Sequence, residues 1–94
     1  MRVKLYAMLR SKVGLSLLDV ATPPGATVRH VLDDLTARYP ALKDAIWDKT
    51  EASLVSFVHV LVNGRDVRYL SGLDTPLQPD DAMDIFPPVG GGSR

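Results

Sequence analysis

Few side chains in this 94-residue chain have the type and spacing needed for chemistry, and taken one at a time they fall away. His30 and His59 are the two histidines, and nothing at metal-ligand spacing accompanies either, so each reads as a surface histidine. Asp33-Asp34 and Asp80-Asp81 are adjacent pairs whose members point in different directions, unlike two carboxylates facing one substrate. No serine has the partners of a nucleophilic triad. Gly90, Gly91 and Gly92 follow a strand-like run, open no helix and precede no Lys-Ser/Thr, so they are not a phosphate loop. The chain has no cysteine, which removes disulfides, thiolate metal sites, iron–sulfur clusters and a cysteine nucleophile. With no catalytic constellation, the chain reads as something acted upon.

What remains is the C-terminal stretch Phe86-Pro87-Pro88-Val89-Gly90-Gly91-Gly92-Ser93-Arg94. Ala82 to Phe86 alternates like a strand, and the two prolines after it cannot donate to a sheet ladder, so the chain must leave the sheet there. Glycine passes where any larger residue would clash. The six residues from Pro87 to Gly92 reach about 20 Å if extended, at roughly 3.4 Å each. Such a thin strip can thread a narrow channel in another protein and present a backbone carboxyl inside it. Residues 1–86 are therefore expected to form one domain and 87–94 a flexible Pro/Gly-rich tail, a composition also common in termini with no role.

Composition narrows the partners. At 46% apolar and 23% charged residues the chain is too apolar for disorder, and its length suits one small core. Eleven basic and eleven acidic residues cancel, which argues against a nucleic-acid partner. No apolar run is long enough to span a membrane and no signal peptide is evident. The lack of cysteine fits a reducing cytoplasm.

The elements that must position the tail follow from periodicity. Val3, Leu5, Ala7 and Leu9 alternate with Lys4, Tyr6, Met8 and Arg10, which predicts a strand from Arg2 to Leu9. Gly14 breaks it, and Leu15 to Ala21 resumes as the second strand of an opening hairpin. Thr27 is placed to cap a helix in which Val28, Val31, Leu32, Leu35 and Tyr39 share one side, ended by Pro40. A short helical piece is expected over Ala41 to Trp47, then a polar loop to Ser56. Phe57 to Asn63 is the clearest strand, and Asn63-Gly64 favours a tight hairpin turn into a short strand over Arg65 to Tyr69. The last strand, Ala82 to Phe86, delivers the tail. This order implies an α+β fold, a mixed sheet of about five strands packed on one main helix, for which a β-grasp is the compact solution.

With Val3, Leu5, Val58, Val60, Met83 and Ile85 against the helix, the opposite face is expected to carry Tyr6, Met8, Phe57, His59, Leu61 and Phe86. Apolar area of that kind marks an interaction surface unless Trp47 and the 41–56 segment fold over it.

Several stretches resemble the ubiquitin-like sulfur carriers typified by the small subunit of molybdopterin synthase (MoaD) and the thiamine sulfur carrier (ThiS). They are Pro24-Gly25-Ala26-Thr27-Val28, Arg38-Tyr39-Pro40, Val62-Asn63-Gly64, Asp74-Thr75-Pro76-Leu77, Asp80-Asp81 and above all Phe86-Pro87-Pro88-Val89 with the glycines after it. Val62 to Tyr69, with Gly72-Leu73, is similar to the carrier that feeds a cysteine synthase and to archaeal-type small modifiers. The resemblance implies a ubiquitin-like β-grasp and a mechanism. An adenylyltransferase related to ubiquitin-activating enzymes uses ATP to convert the terminal glycine carboxylate to an acyl-adenylate, and a persulfide then replaces AMP to leave a thiocarboxylate. An acceptor enzyme, such as the large subunit of molybdopterin synthase or a cysteine synthase, takes the sulfur. The carrier itself binds no cofactor. On this resemblance Gly92 carries the reactive carboxyl, with Gly91 as the alternative register. Gly90 and Gly91 give clearance, and Phe86, Pro87, Pro88 and Val89 join the outer face in docking.

One departure from the family pattern stands out. Its active form ends at the second glycine, whereas Ser93-Arg94 follow Gly92 here, and an amide cannot be adenylylated. The pair is expected to be a precursor extension cut between Gly92 and Ser93, as by a zinc-dependent peptidase. The other readings are a remnant of recombinant expression and loss of the activity. A modifier that joins lysines by isopeptide bonds, and a non-covalent β-grasp binding module, are the competing functions.

Overall fold

The computed structural model describes residues 1–50 and 52–88. Among these residues five strands form one sheet: β1 (Arg2–Leu5), β2 (Leu17–Asp19), β3 (His59–Val62), β4 (Arg65–Asp66) and β5 (Ala82–Phe86), in the order β2-β1-β5-β3-β4. The central pair β1 and β5 is parallel, and the other pairings are antiparallel. Helix α2 (Val28–Arg38) buries Val28, Val31, Leu32 and Leu35, and the sheet answers with Val3, Leu5, Val58, Val60, Met83 and Ile85, none more than 4% exposed. This is the mixed sheet packed on one main helix of the β-grasp. Among the described residues no helix is long and apolar enough to cross a membrane.

Local signals set most of these elements. The Thr27 hydroxyl accepts from the His30 amide at 3.3 Å, which satisfies one of the free donors of the first turn of α2. The helix stops at Arg38, two residues before Pro40. A 3₁₀ turn (Pro40–Leu42) and α3 (Lys43–Ile46) follow, as the apolar spacing predicted. Asn63 and Gly64 adopt φ of 51° and 83°, the double positive φ that a two-residue hairpin turn needs.

The opening differs from expectation. β1 ends at Leu5, and Ala7–Val13 is a helix, α1, in place of the second half of a strand. Strand alternation and helical spacing are both satisfied by so short a run, and packing decides between them. Leu9 is buried and Val13 packs against the core one turn later, whereas Ala7, Met8, Arg10, Ser11 and Lys12 stay exposed. Gly14, at φ 84°, is the left-handed cap of α1, its N–H bonded to the Arg10 carbonyl at 2.8 Å, not the turn of a hairpin. β1 and β2 still pair, now across a helix. The second strand is correspondingly short, and the predicted strand over Arg65 to Tyr69 is two residues of β4 followed by a 3₁₀ turn (Val67–Tyr69). Trp47 does not fold over the outer face of the sheet. It is 3% exposed within the core, with the Arg29 guanidinium of α2 lying 4.7 Å from its ring centre.

Candidate functional site

β5 is the only strand of the sheet that ends in the tail, and it lies between β1 and β3. Its last residue, Phe86, is therefore held from both sides. Tyr6, just past β1, donates its backbone N–H to the Ile85 carbonyl at 3.3 Å and stacks its ring on Phe86, with centroids 4.1 Å apart and planes 19° from parallel. On the other side Phe86 is the register partner of His59. Pro87 is buried and Pro88 exposed. The tail thus leaves from the middle of a braced sheet, beside an aromatic pair. Val89, Gly90, Gly91, Gly92 and Ser93 lie outside the described residues.

The outer face around this root is not the apolar surface that was expected. Cross-strand register aligns Leu17, Lys4, Asp84, Leu61 and Asp66 in one row over all five strands, with Tyr6, Phe86 and His59 as the next row toward the tail. The Tyr6 hydroxyl donates to Asp84 Oδ1 at 3.0 Å, and the Lys4 ammonium lies 5.2 Å from the Tyr6 ring centre. At the far edge Arg68 donates Nε to Asp66 Oδ1 at 3.3 Å and Nη2 to Asp66 Oδ2 at 3.1 Å. His59 Nδ1 lies 3.0 Å from Asp66 Oδ2 and also meets Arg68 Nη2; it can donate to the carboxylate or accept from the guanidinium, one at a time. The Arg68 hydrogen bond holds the Asp66 carboxyl well below the usual carboxylate range; burial opposes it, and the His59 contact and the Arg68 backbone N–H add to the lowering.

Of the residues expected on this face, Tyr6, His59, Leu61 and Phe86 are brought together, each half-buried. Met8 is not among them: it sits on α1, 44% exposed, because the strand it was assigned to ends at Leu5. Phe57 is also outside the sheet. It occupies a turn before β3 at φ 66° and is 72% exposed. Lys4, Asp66, Asp84 and Arg68 are the members that sequence reasoning missed. Alternation already placed Lys4 and Asp84 outward, but the pairing of Asp66 with Arg68 depends on β4 giving way to a 3₁₀ turn. His30 is exposed on α2, as expected, and among the described residues no cluster of His, Cys, Asp or Glu can hold a metal ion.

Comparisons with known proteins agree with this geometry. The ThiS family model matches residues 3–92, which runs through the glycine stretch to Gly92. Small archaeal modifier protein 3 of Haloferax volcanii is 36% identical over 92 residues, 98% of this chain and 98% of its own length. Sulfur carrier protein CysO of Mycobacterium tuberculosis is 36% identical over 69 residues, 72% of this chain and 74% of its own. The solution structure of small archaeal modifier protein 1 from Methanosarcina acetivorans superposes with a TM-score of 0.85 at 40% identity, covering 97% of this chain and 94% of that one. The chain belongs to the ThiS family of ubiquitin-like, β-grasp sulfur carriers.

Proposed function

We propose that this protein is a sulfur carrier whose Gly92 carboxylate is activated and converted to a thiocarboxylate, and that it is a substrate of enzymes, not a catalyst. The observation that carries the reading is the reach of the family match to Gly92, at the end of a tail rooted in a braced central strand. The same reach supports Gly92 over Gly91 as the reacting residue. Because Ser93 follows, hydrolysis of the Gly92–Ser93 amide comes first, a task suited to a zinc-dependent peptidase.

A carboxylate is a poor electrophile until it carries a good leaving group. Attack of the Gly92 carboxylate on the α-phosphorus of ATP, held by an adenylyltransferase, releases pyrophosphate and forms the acyl-adenylate. A persulfide sulfur then attacks the carbonyl and expels AMP, giving an acyl disulfide. A thiol cleaves its S–S bond, leaving the thiocarboxylate while the two enzyme thiols end as a disulfide. The tail serves this chemistry through clearance: Gly90 and Gly91 let the carbonyl enter a narrow site, while Tyr6, His59, Leu61 and Phe86 dock the body of the protein. An acceptor enzyme, of the molybdopterin synthase or cysteine synthase kind, consumes the sulfur.

A second reading, a modifier that joins lysine amines through Gly92, is favoured by the modifier relative that matches 98% of the chain. It shares the activation step and differs in the nucleophile. The intact mass of the protein from its own cells separates the two. Loss of Ser93-Arg94 with one oxygen replaced by sulfur is the expected result. Branched adducts on lysines would favour the modifier. Full retention of Ser93-Arg94 would overturn activation at Gly92 and leave a non-covalent binding module.

A further inference from the structure

A groove of about 260 Å³ lies beside the tail root, between the 53–58 segment and the 3₁₀ turns Val67–Tyr69 and Gly72–Asp74. Leu54, Val55, Val58, Val67 and Leu73 make it apolar, and Arg68 is the one charged side chain that lines it among the described residues. Asp66 holds the guanidinium along its Nε and Nη2 edge. Nη1 makes no hydrogen bond among the described residues, and the side chain is 56% exposed. An arginine pinned on one edge offers the other with little ordering still to be lost on binding.

Phe57 stands at the rim of the groove in a conformation that costs a non-glycine residue stability, and its exposed ring returns little of that cost by burial. Nothing within the described fold repays that cost, which leaves the ring available to a partner. Phe57 and Val58 lead directly into His59, the register partner of Phe86, so the groove and the tail open at the same end of the sheet.

We propose that the groove is a second docking point for the adenylylating enzyme, receiving a segment that places an apolar side chain against Phe57 and Val58 and a carboxylate on Arg68 Nη1. The proposal rests on the carrier reading above, and that enzyme is the partner which the carrier and modifier readings share. An anchor of apolar contact beside one oriented charge pair is the usual composition of a binding hot spot.

The test is ATP–pyrophosphate exchange by the activating enzyme of the same cells, with the chain processed to Gly92 as substrate. Arg68→Gln and Phe57→Ala are each expected to raise KM for the carrier about tenfold with little change in kcat. Arg68→Lys recovers part of the loss, and the Arg68 effect shrinks as salt is raised. Unchanged KM in both variants, with native amide spectra, overturns the groove assignment and leaves the carrier reading standing. A rise with Phe57→Ala alone overturns the carboxylate on the partner. No exchange with the unsubstituted processed chain overturns the carrier reading, and the groove assignment with it.

Discussion

The two faces of the sheet are built from the same strands by alternation, yet different forces hold them. The inner face is a continuous apolar layer of Val3, Leu5, Val58, Val60, Met83 and Ile85 closed by α2. Its stability comes from area removed from water and from close packing, which are indifferent to the direction in which a neighbour sits. The outer face is half-open and is organised by directional contacts: the Tyr6–Phe86 stack, the Tyr6–Asp84 hydrogen bond and the Asp66–Arg68 pair. These contribute little to stability but hold the outer-face side chains in fixed positions. The fold is thus held on one face and a set of oriented side chains on the other, and the two can be altered separately.

The largest effect should come from crossing that divide. Ile85→Ala, on the inner face, is expected to cost about 2–5 kcal/mol, whereas Leu61→Ala on the outer face should cost about 1 kcal/mol. Equilibrium urea unfolding of both variants checks this, and equal losses would break the comparison. Phe57→Gly should do the opposite and stabilise the fold by about 1 kcal/mol, because glycine adopts the positive φ without strain. Any loss of stability would mean that the ring packs on its own protein.

Smaller effects belong to the polar contacts. Asp66→Asn should cost about 1 kcal/mol near neutral pH. The folded protein keeps this carboxyl ionised well below the usual range, while the unfolded chain takes up its proton near pH ~4. Its contribution is therefore present above that pH and lost as pH falls further, so the unfolding curves of the wild type and the variant should draw together in acid. A difference that does not shrink at all as pH falls from neutral to about 2 would assign the loss to packing. Tyr6→Phe keeps the stack on Phe86 and removes only the hydroxyl on Asp84, for about 0.5 kcal/mol. A larger loss would show the outer face to be structural after all.

Much of the fold was legible because its signals are local. The cap at Thr27, the apolar stripe of α2, the Asn63-Gly64 turn and the strand that ends at Pro87 each depend on a few neighbouring residues. α1 was not legible, because its seven residues satisfy both periods and only the burial of Leu9 beneath the core selects the helix. Met8 was lost from the outer face for that reason alone. Phe57 was misplaced because a positive φ at a phenylalanine has no local signature.

The chain by itself determined where the candidate chemistry lies: it has no cysteine, and its glycines follow a double proline at the end of a strand. The helix and the hairpin turn were determined in the same way, since dihedral preference and apolar period act over a few positions. Only the tertiary structure decided what surrounds the tail root. Tyr6 and Asp84 are 78 residues apart in sequence, and His59 and Arg68 meet over Asp66 because β3 turns back beside itself. Contacts between distant positions depend on register and on where each strand stops, and both are settled by the packing of the whole sheet.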